Sequence, residues 1–271
     1  MNIQGVDIRI EGKGPETLLL LHGWPDTLDL WNDTVQALSE THQCVRFTLP
    51  AFDSNAPIQP KSLLDMVSFI DEVLSAVSPL KPVTLVLHDW GCVFGYEYAA
   101  KHPERVKRMV AVDVGDHNSH ALVLSWPAKA KWGVFSYQIW LAVAWQMGRW
   151  FASPGRALGN RMTRYMAKAL RCPSPLAAMH SGMNSPYAMK WLGSLGGLDK
   201  AANVLKLLPA ARPMLYVYGR RKPFMFHSPE WLEKIAAHPG SRIEVFDTGH
   251  WVMSAKPELF VALLKEWLSA T

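Results

Sequence analysis

Asp89 stands at an abrupt junction. The run Leu85-Val86-Leu87 reads as a buried strand, His88-Asp89-Trp90 follows, and Gly91 opens a small-residue helix pattern over Cys92 to Ala100. The glycine lets the helix start tightly, so the carboxylate projects from a sharp turn. In an open parallel sheet, ligands meet the chain just beyond the carboxyl ends of strands. A carboxylate attacks amides poorly, but it attacks an sp3 carbon bearing a leaving group well, giving an alkyl–enzyme ester. An activated water must then hydrolyse that ester. The bland alternative is that Asp89 only caps the helix. A third reading makes Cys92 a thiolate nucleophile near the helix start, although packing explains a small residue there equally well.

Such a turn needs a sheet to carry it. Strand patterns occur at "VDIRI", "TLLLL" (17–21), "CVRFTL", "VTLVL" and "RVKRMVAVDV". Helix patterns lie between them at 28–40, at 62–77 and from Gly91 onward. Alternating strands and helices predict a mostly parallel sheet with helices on both faces. The alternation stops near residue 117, gives way to an all-helical stretch to about 204, and resumes with "PMLYVYG", "SPEWLEKIAAH", "SRIEVF" and "PELFVALLKEWLSA". A helical insertion in one α/β domain follows, with residues 1–116 and 205–271 as core and 117–204 as lid.

A chain of 271 residues with 49% hydrophobic and 19% charged residues can bury a sizeable core. Cys44, Cys92 and Cys172 are scattered and odd in number, which indicates neither a disulfide framework nor a zinc site. A reducing, cytoplasmic setting fits them, and "MNIQGVDIRIEGKG" lacks the pattern of a signal peptide. The stretch "WGVFSYQIWLAVAWQMGRW" (132–150) is interrupted by Gln138, Gln146 and Arg149, so it reads as a buried helix rather than a membrane span.

Three stretches together carry a family resemblance. "LLLHGWPD" (19–26), "LHDWG" (87–91) and "DTGHWVMSAKPE" (247–258) resemble the α/β-hydrolase fold, and within it the epoxide hydrolase and haloalkane dehalogenase branch. The resemblance implies Asp89 as nucleophile and His250 as the base that activates water. It also implies that the backbone N–H groups of Trp24 and Trp90 form an oxyanion hole, with a bond before Pro25 that is often cis in the family. No metal or organic cofactor is implied. His22 and His88 are read as loop supports.

The leaving group depends on the lid. An epoxide site needs an acid for the opening alkoxide, and a phenol donates without carrying charge. "VFSYQIW" (134–140) resembles the epoxide hydrolase F-x-Y-Q segment and offers Tyr137, while "NSPYAMKW" (184–191) offers Tyr187 and Tyr165 is a spare. Epoxide opening to a diol is the expected reaction. A haloalkane site using Trp24 and Trp90 as halide donors is the runner-up.

The acid that orients the histidine departs from the pattern. The family usually places it after the next strand, where this chain has "YGRRKPFMFHSPEW" and Lys222. A cation beside His250 would depress its basicity. Asp113, at the end of "RVKRMVAVDV", is the expected replacement, with Asp116 three residues on. Without such compensation the protein would be a non-catalytic binder of apolar ligands.

Charge is divided unevenly. Residues 117–204 hold ten Lys or Arg and one acid, a net +9, while the remainder nets −4. A solvated helical face is the first reading of this basic lid, and an anionic substrate or membrane surface is the second. No nucleic-acid motif accompanies the charge. The expected partner is a small apolar substrate, with a homodimer left open.

Overall fold

The computed structural model describes residues 1–53, 62–192, 204–208 and 211–271. In chain order the elements are β1 (Asn2–Ile3), β2 (Val6–Glu11), β3 (Thr17–Leu21), α1 (Asn32–Leu38), β4 (Gln43–Phe47), α2 (Leu63–Val77), β5 (Val83–His88), α3 (Trp90–Lys101) and β6 (Val106–Val112). Then come α4 (His120–Ser125), α5 (Ala128–Trp150), α6 (Ala152–Ala169), α7 (Ser185–Leu192) and α8 (Val204–Leu207). The chain closes with β7 (Met214–Gly219), α9 (Pro229–Ala237), β8 (Arg242–Phe246), α10 (Val252–Ala255) and α11 (Pro257–Ala270).

The strands form one eight-stranded sheet in the order β1-β2-β4-β3-β5-β6-β7-β8. Its β1–β2 and β2–β4 pairs are antiparallel and the other five are parallel. The continuous apolar runs take the centre, where β3 and β5 are buried along their whole length. Burial on both faces is what such runs require. Alternate side chains serve opposite cores: Leu19, Leu21, Leu85 and Leu87 pack with Phe69, Ile70 and Phe94. Leu18, Leu20 and Val86 pack with Val35, Phe260 and Trp267 on the other face. Each such leucine contributes about 1.5–3 kcal/mol, and a one-residue slip would turn every one of them to the wrong core.

Local signals set the helix ends. Ser62 and Asp65 form a reciprocal capping box on α2, and Ser228 caps α9 with proline at its first turn. The helix expected over 28–40 is divided: a 3-10 turn at Leu28–Trp31, capped by Thr27, precedes α1. At the amino ends of the central strands, buried Arg108 is held by Glu16, whose carboxylate also meets Lys107 and Thr84.

Between β6 and β7 the described chain is helical, as expected, while residues 193–203 of the lid lie outside the described residues. Helices α5 and α6 pack closely because α6 presents Gly155, Gly159, Thr163 and Ala167 at four-residue spacing, all buried. A Cβ on Gly159 would run into the Ala144 carbonyl. The expectation that 132–150 is a buried helix is corrected. One face of α5 is buried, but Trp132, Phe135, Trp140, Val143 and Trp150 are exposed. Apolar residues around the whole helix hid the distinction in the sequence. No described helix is long and apolar enough to cross a membrane.

Candidate active site

Asp89 joins β5 to α3 with φ +52°, outside the region that L residues favour, and its side chain makes no capping bond to α3. The carboxylate is therefore turned away from the helix it precedes. Its Oδ1 accepts a hydrogen bond from the Trp24 backbone N–H at 2.7 Å. Gly23 makes this approach possible, since a Cβ there would collide with the Asp89 side chain and the Trp90 nitrogen. The Trp24–Pro25 bond is cis. The Trp90 N–H opens α3 directly beside the carboxylate.

On the other side of Asp89 lies His250, with Nε2 3.5 Å from Oδ2. The opposite ring nitrogen, Nδ1, is hydrogen-bonded to Asp113 Oδ2. Asp113 follows the last residue of β6, has φ +72°, and is fully buried. Its Oδ1 accepts from the Gly219 N–H at 3.1 Å and forms an ion pair with the Lys222 ammonium. The sequence reading of Lys222 is thus corrected in one respect. The lysine occupies the usual place of the acid, but it engages the far oxygen of the carboxylate instead of the imidazole.

The electrostatics follow from this line of groups. Burial opposes charge on His250, yet Asp113 first and Asp89 second outweigh it and raise the imidazole to about 9. Burial likewise works against both carboxylates. Asp89 is nonetheless held below its ordinary value by His250, by His88 and by the Trp24 amide. Asp113 is held low by Lys222 and His250. Burial pushes the Lys222 ammonium down, and its pairing with Asp113 only partly offsets this.

A second layer supports the histidine. His22 bridges two loops, with Nδ1 at 2.9 Å from the Gly23 carbonyl and Nε2 accepting from the Leu49 N–H. Burial keeps it neutral, lowering it to about 4. His88 packs on the His250 ring with centroids 4.6 Å apart, and its Nε2 lies 3.3 Å from the His250 carbonyl. Beneath them Asp26 is fully buried, accepts from Trp251 Nε1 at 2.9 Å and Ser174 Oγ at 2.5 Å, and is raised by burial to about 6. Asp116 is turned elsewhere, onto the Ser228 amide and hydroxyl. Burial raises the Cys92 thiol far above its ordinary value, which leaves it inert.

A cavity of about 60 Å³ lies beside Asp89, lined in part by the helices between β6 and β7. Val93, Val114, Leu122, Trp126 and Phe226 make its apolar wall, and Tyr137, Gln138, Tyr187 and Lys190 come from the lid helices. Tyr187 sits edge-on between the Trp24 and Trp90 rings at 5.7 and 5.3 Å, and 6.1 Å from Tyr137. The Tyr137 hydroxyl accepts from Gln138 Nε2 at 3.1 Å, and Gln138 Oε1 in turn accepts from Trp191 Nε1 at 2.8 Å. Burial raises both phenols, so both remain proton donors. The Trp24 indole N–H donates to Asn184 Oδ1 at 2.8 Å. Tyr165, the spare, lies on the outer surface away from this cavity. Sequence reading missed Lys222 as a partner of Asp113, and also Asp26, Asn184 and Gln138. Asp26, Gln138 and Asn184 all fall within the stretches quoted above, but nothing local gave them a role.

The sequence matches the alpha/beta hydrolase fold family over residues 16–257, nearly the whole chain. The chain belongs to that family. It is accordingly an enzyme of the hydrolase superfamily, built on the fold that the sheet order displays. It is 26% identical, across 97% of its length and 93% of the relative's, to a cis-3-alkyl-4-alkyloxetan-2-one decarboxylase of Xanthomonas campestris pv. campestris. Among solved structures it resembles an epoxide hydrolase of Bacillus megaterium bound to an inhibitor, with TM-score 0.72, 21% identity and 99% of each chain covered. It also resembles a thermophilic esterase of Thermogutta terrifontis, with TM-score 0.70, 18% identity, and 98% of this chain and 93% of that one covered. At such identities the structural likeness speaks for the fold.

Proposed function

We propose that this hydrolase opens an epoxide to a diol through an ester on Asp89. The observation that carries the reading is that Asp89, which meets His250 Nε2 at 3.5 Å, also lines the cavity into which Tyr137 and Tyr187 project. An Asp89 oxygen attacks a ring carbon, the C–O bond breaks toward oxygen, and Tyr137 or Tyr187 protonates the resulting alkoxide. Formation of the ester removes the charge of Asp89, one of the groups that hold the proton on His250. His250 then gives up that proton, by way of water, to the tyrosinate left by ring opening, and serves as base for the water that attacks the ester carbonyl. The Trp24 and Trp90 amides receive the developing oxyanion, and Asp113 steadies the imidazolium until collapse releases the diol. The helical segment 117–204 is read as a cap on the core of residues 1–116 and 205–271.

The engagement of the Trp24 indole by Asn184 favours an epoxide over a haloalkane, because a halide would need that N–H group unoccupied. The contact between Asp113 and His250 supports a catalytic reading over a non-catalytic binder. A second reading has one specific support: a relative whose match spans 97% of this chain is named as an oxetan-2-one decarboxylase. A four-membered lactone is also a strained oxygen ring, and the same carboxylate and phenols could meet it.

The deciding experiment is a single turnover in heavy-oxygen water with three substrates: a styrene-type epoxide, a cis-dialkyl oxetan-2-one and a haloalkane. Diol formation with label in the Asp89 peptide supports the epoxide reading. Carbon dioxide and alkene from the lactone alone move the assignment to the second reading. No product from any substrate rejects both.

A further inference from the structure

We propose that the outer face of α5 and α6 docks the protein on the surface of an anionic phospholipid membrane. The two faces of α5 differ in what covers them. Val134, Gln138, Leu141 and Trp145 are buried against the protein, while Trp132, Phe135, Trp140, Val143 and Trp150 recur at helical spacing on the exposed side. Trp132 and Trp150 are each 70% exposed, and Tyr165 of α6 is 64% exposed. These rings are neighbours: Trp132 meets Phe135 at 5.7 Å, Trp140 meets Tyr165 at 5.8 Å, and Trp150 meets Phe151 at 6.5 Å. Exposed rings grouped along one helix face in this way mark a place where something binds.

Charge selects the occupant. Residues 117–192 hold nine Lys or Arg and no Asp or Glu, and seven of the nine lie on α5 and α6 while Lys190 lines the cavity. None of the nine forms an ion pair among the described residues. A second copy of the chain would bring an equally basic face against this one, and like charges would oppose the contact. Indoles at headgroup level with Lys and Arg toward phosphate are the composition of a helix that lies on a bilayer. Tyr137 and Gln138, on the inner side of the same α5, line the cavity over Asp89. Docking therefore sets the cavity about one helix diameter, roughly 10 Å, from the acyl boundary. The substrate class that suits this placement is an apolar molecule partitioned into lipid, whichever ring chemistry Asp89 performs.

Co-sedimentation tests the proposal, using vesicles of phosphatidylglycerol and phosphatidylcholine in equal parts against vesicles of phosphatidylcholine alone. The wild-type chain should pellet with the anionic vesicles, largely fail to pellet with the neutral ones, and be released by salt. Trp132→Ala with Trp150→Ala should weaken partition roughly tenfold. Each of Arg156→Ser and Arg161→Ser should weaken it about fivefold. These side chains are exposed, and an unchanged thermal melt would show the variants folded. Absence of wild-type binding to anionic vesicles overturns the proposal, as does undiminished binding by folded variants. A wild-type dimer that the tryptophan pair dissolves would assign the face to a second copy instead.

Discussion

Lys222 and His250 lie on opposite oxygens of one buried carboxylate, that of Asp113. The ammonium draws on the same negative charge that steadies the imidazolium, so the two cations compete. Replacing Lys222 by Met should leave Asp113 to His250 and the Gly219 amide, raising the imidazole further. Ester hydrolysis needs neutral His250, so its pH profile should move upward by about one unit. Pre-steady-state decay of the ester against pH measures this, and an unmoved profile would deny Lys222 any influence on the base. Loss of one partner of a buried pair should also cost about 3 kcal/mol in a denaturant melt.

His250→Gln should separate the two chemical steps. Asp89 remains able to attack, but no base activates water, so the ester accumulates. Intact-mass measurement should find the protein heavier by one substrate. Asp89→Asn should give neither adduct nor product while melting normally.

The lid phenols are expected to act on ring opening. Tyr137→Phe and Tyr187→Phe should each lower the rate of ester formation by about 10²-fold, the scale of a lost hydrogen-bond donor at a developing oxyanion. Ester hydrolysis should change little. Rapid quench resolves the two steps, and equal losses in both would point to a packing defect in the cavity.

Glu16 predicts an acid limit to stability. Burial raises its carboxyl, but Lys107, Thr84 and Arg108 outweigh that and lower it from 4.5 to about 2. A carboxyl depressed in the folded state stabilises above its ordinary value and loses that contribution as pH falls. The melting temperature should therefore drop as pH decreases from 4.5 toward 2. Glu16→Gln should lower the melt at neutral pH and flatten this dependence, because Arg108 loses its counter-charge.

Much of this was legible in the chain. Apolar runs of five or six residues bounded by turn signals reproduce the strands, because burial on both faces demands such runs. Asp89 and His250 stood out through the motifs around them, and Asp113 through its place at a strand end. What could not be read is what depends on tertiary contact. The Lys222 side chain could point to the imidazole or past it, and only the packing of β7 beside β6 turns it to Asp113. Asp26 looked like a loop residue until Ser174 and Trp251, far along the chain, converged on it. The exposed face of α5 was hidden because its buried face is equally apolar.

The hydrogen bond between His250 and Asp113 spans 137 residues of chain, and Asp89 lies in a third segment again. Contacts so distant form only when the topology is nearly complete. A newly made chain released before its final segment settles would expose Asp89 with no imidazole nearby. Any alkyl group it captured would stay. On the proposed route, late assembly would leave the immature chain open to such capture, and turnover would itself report finished folding.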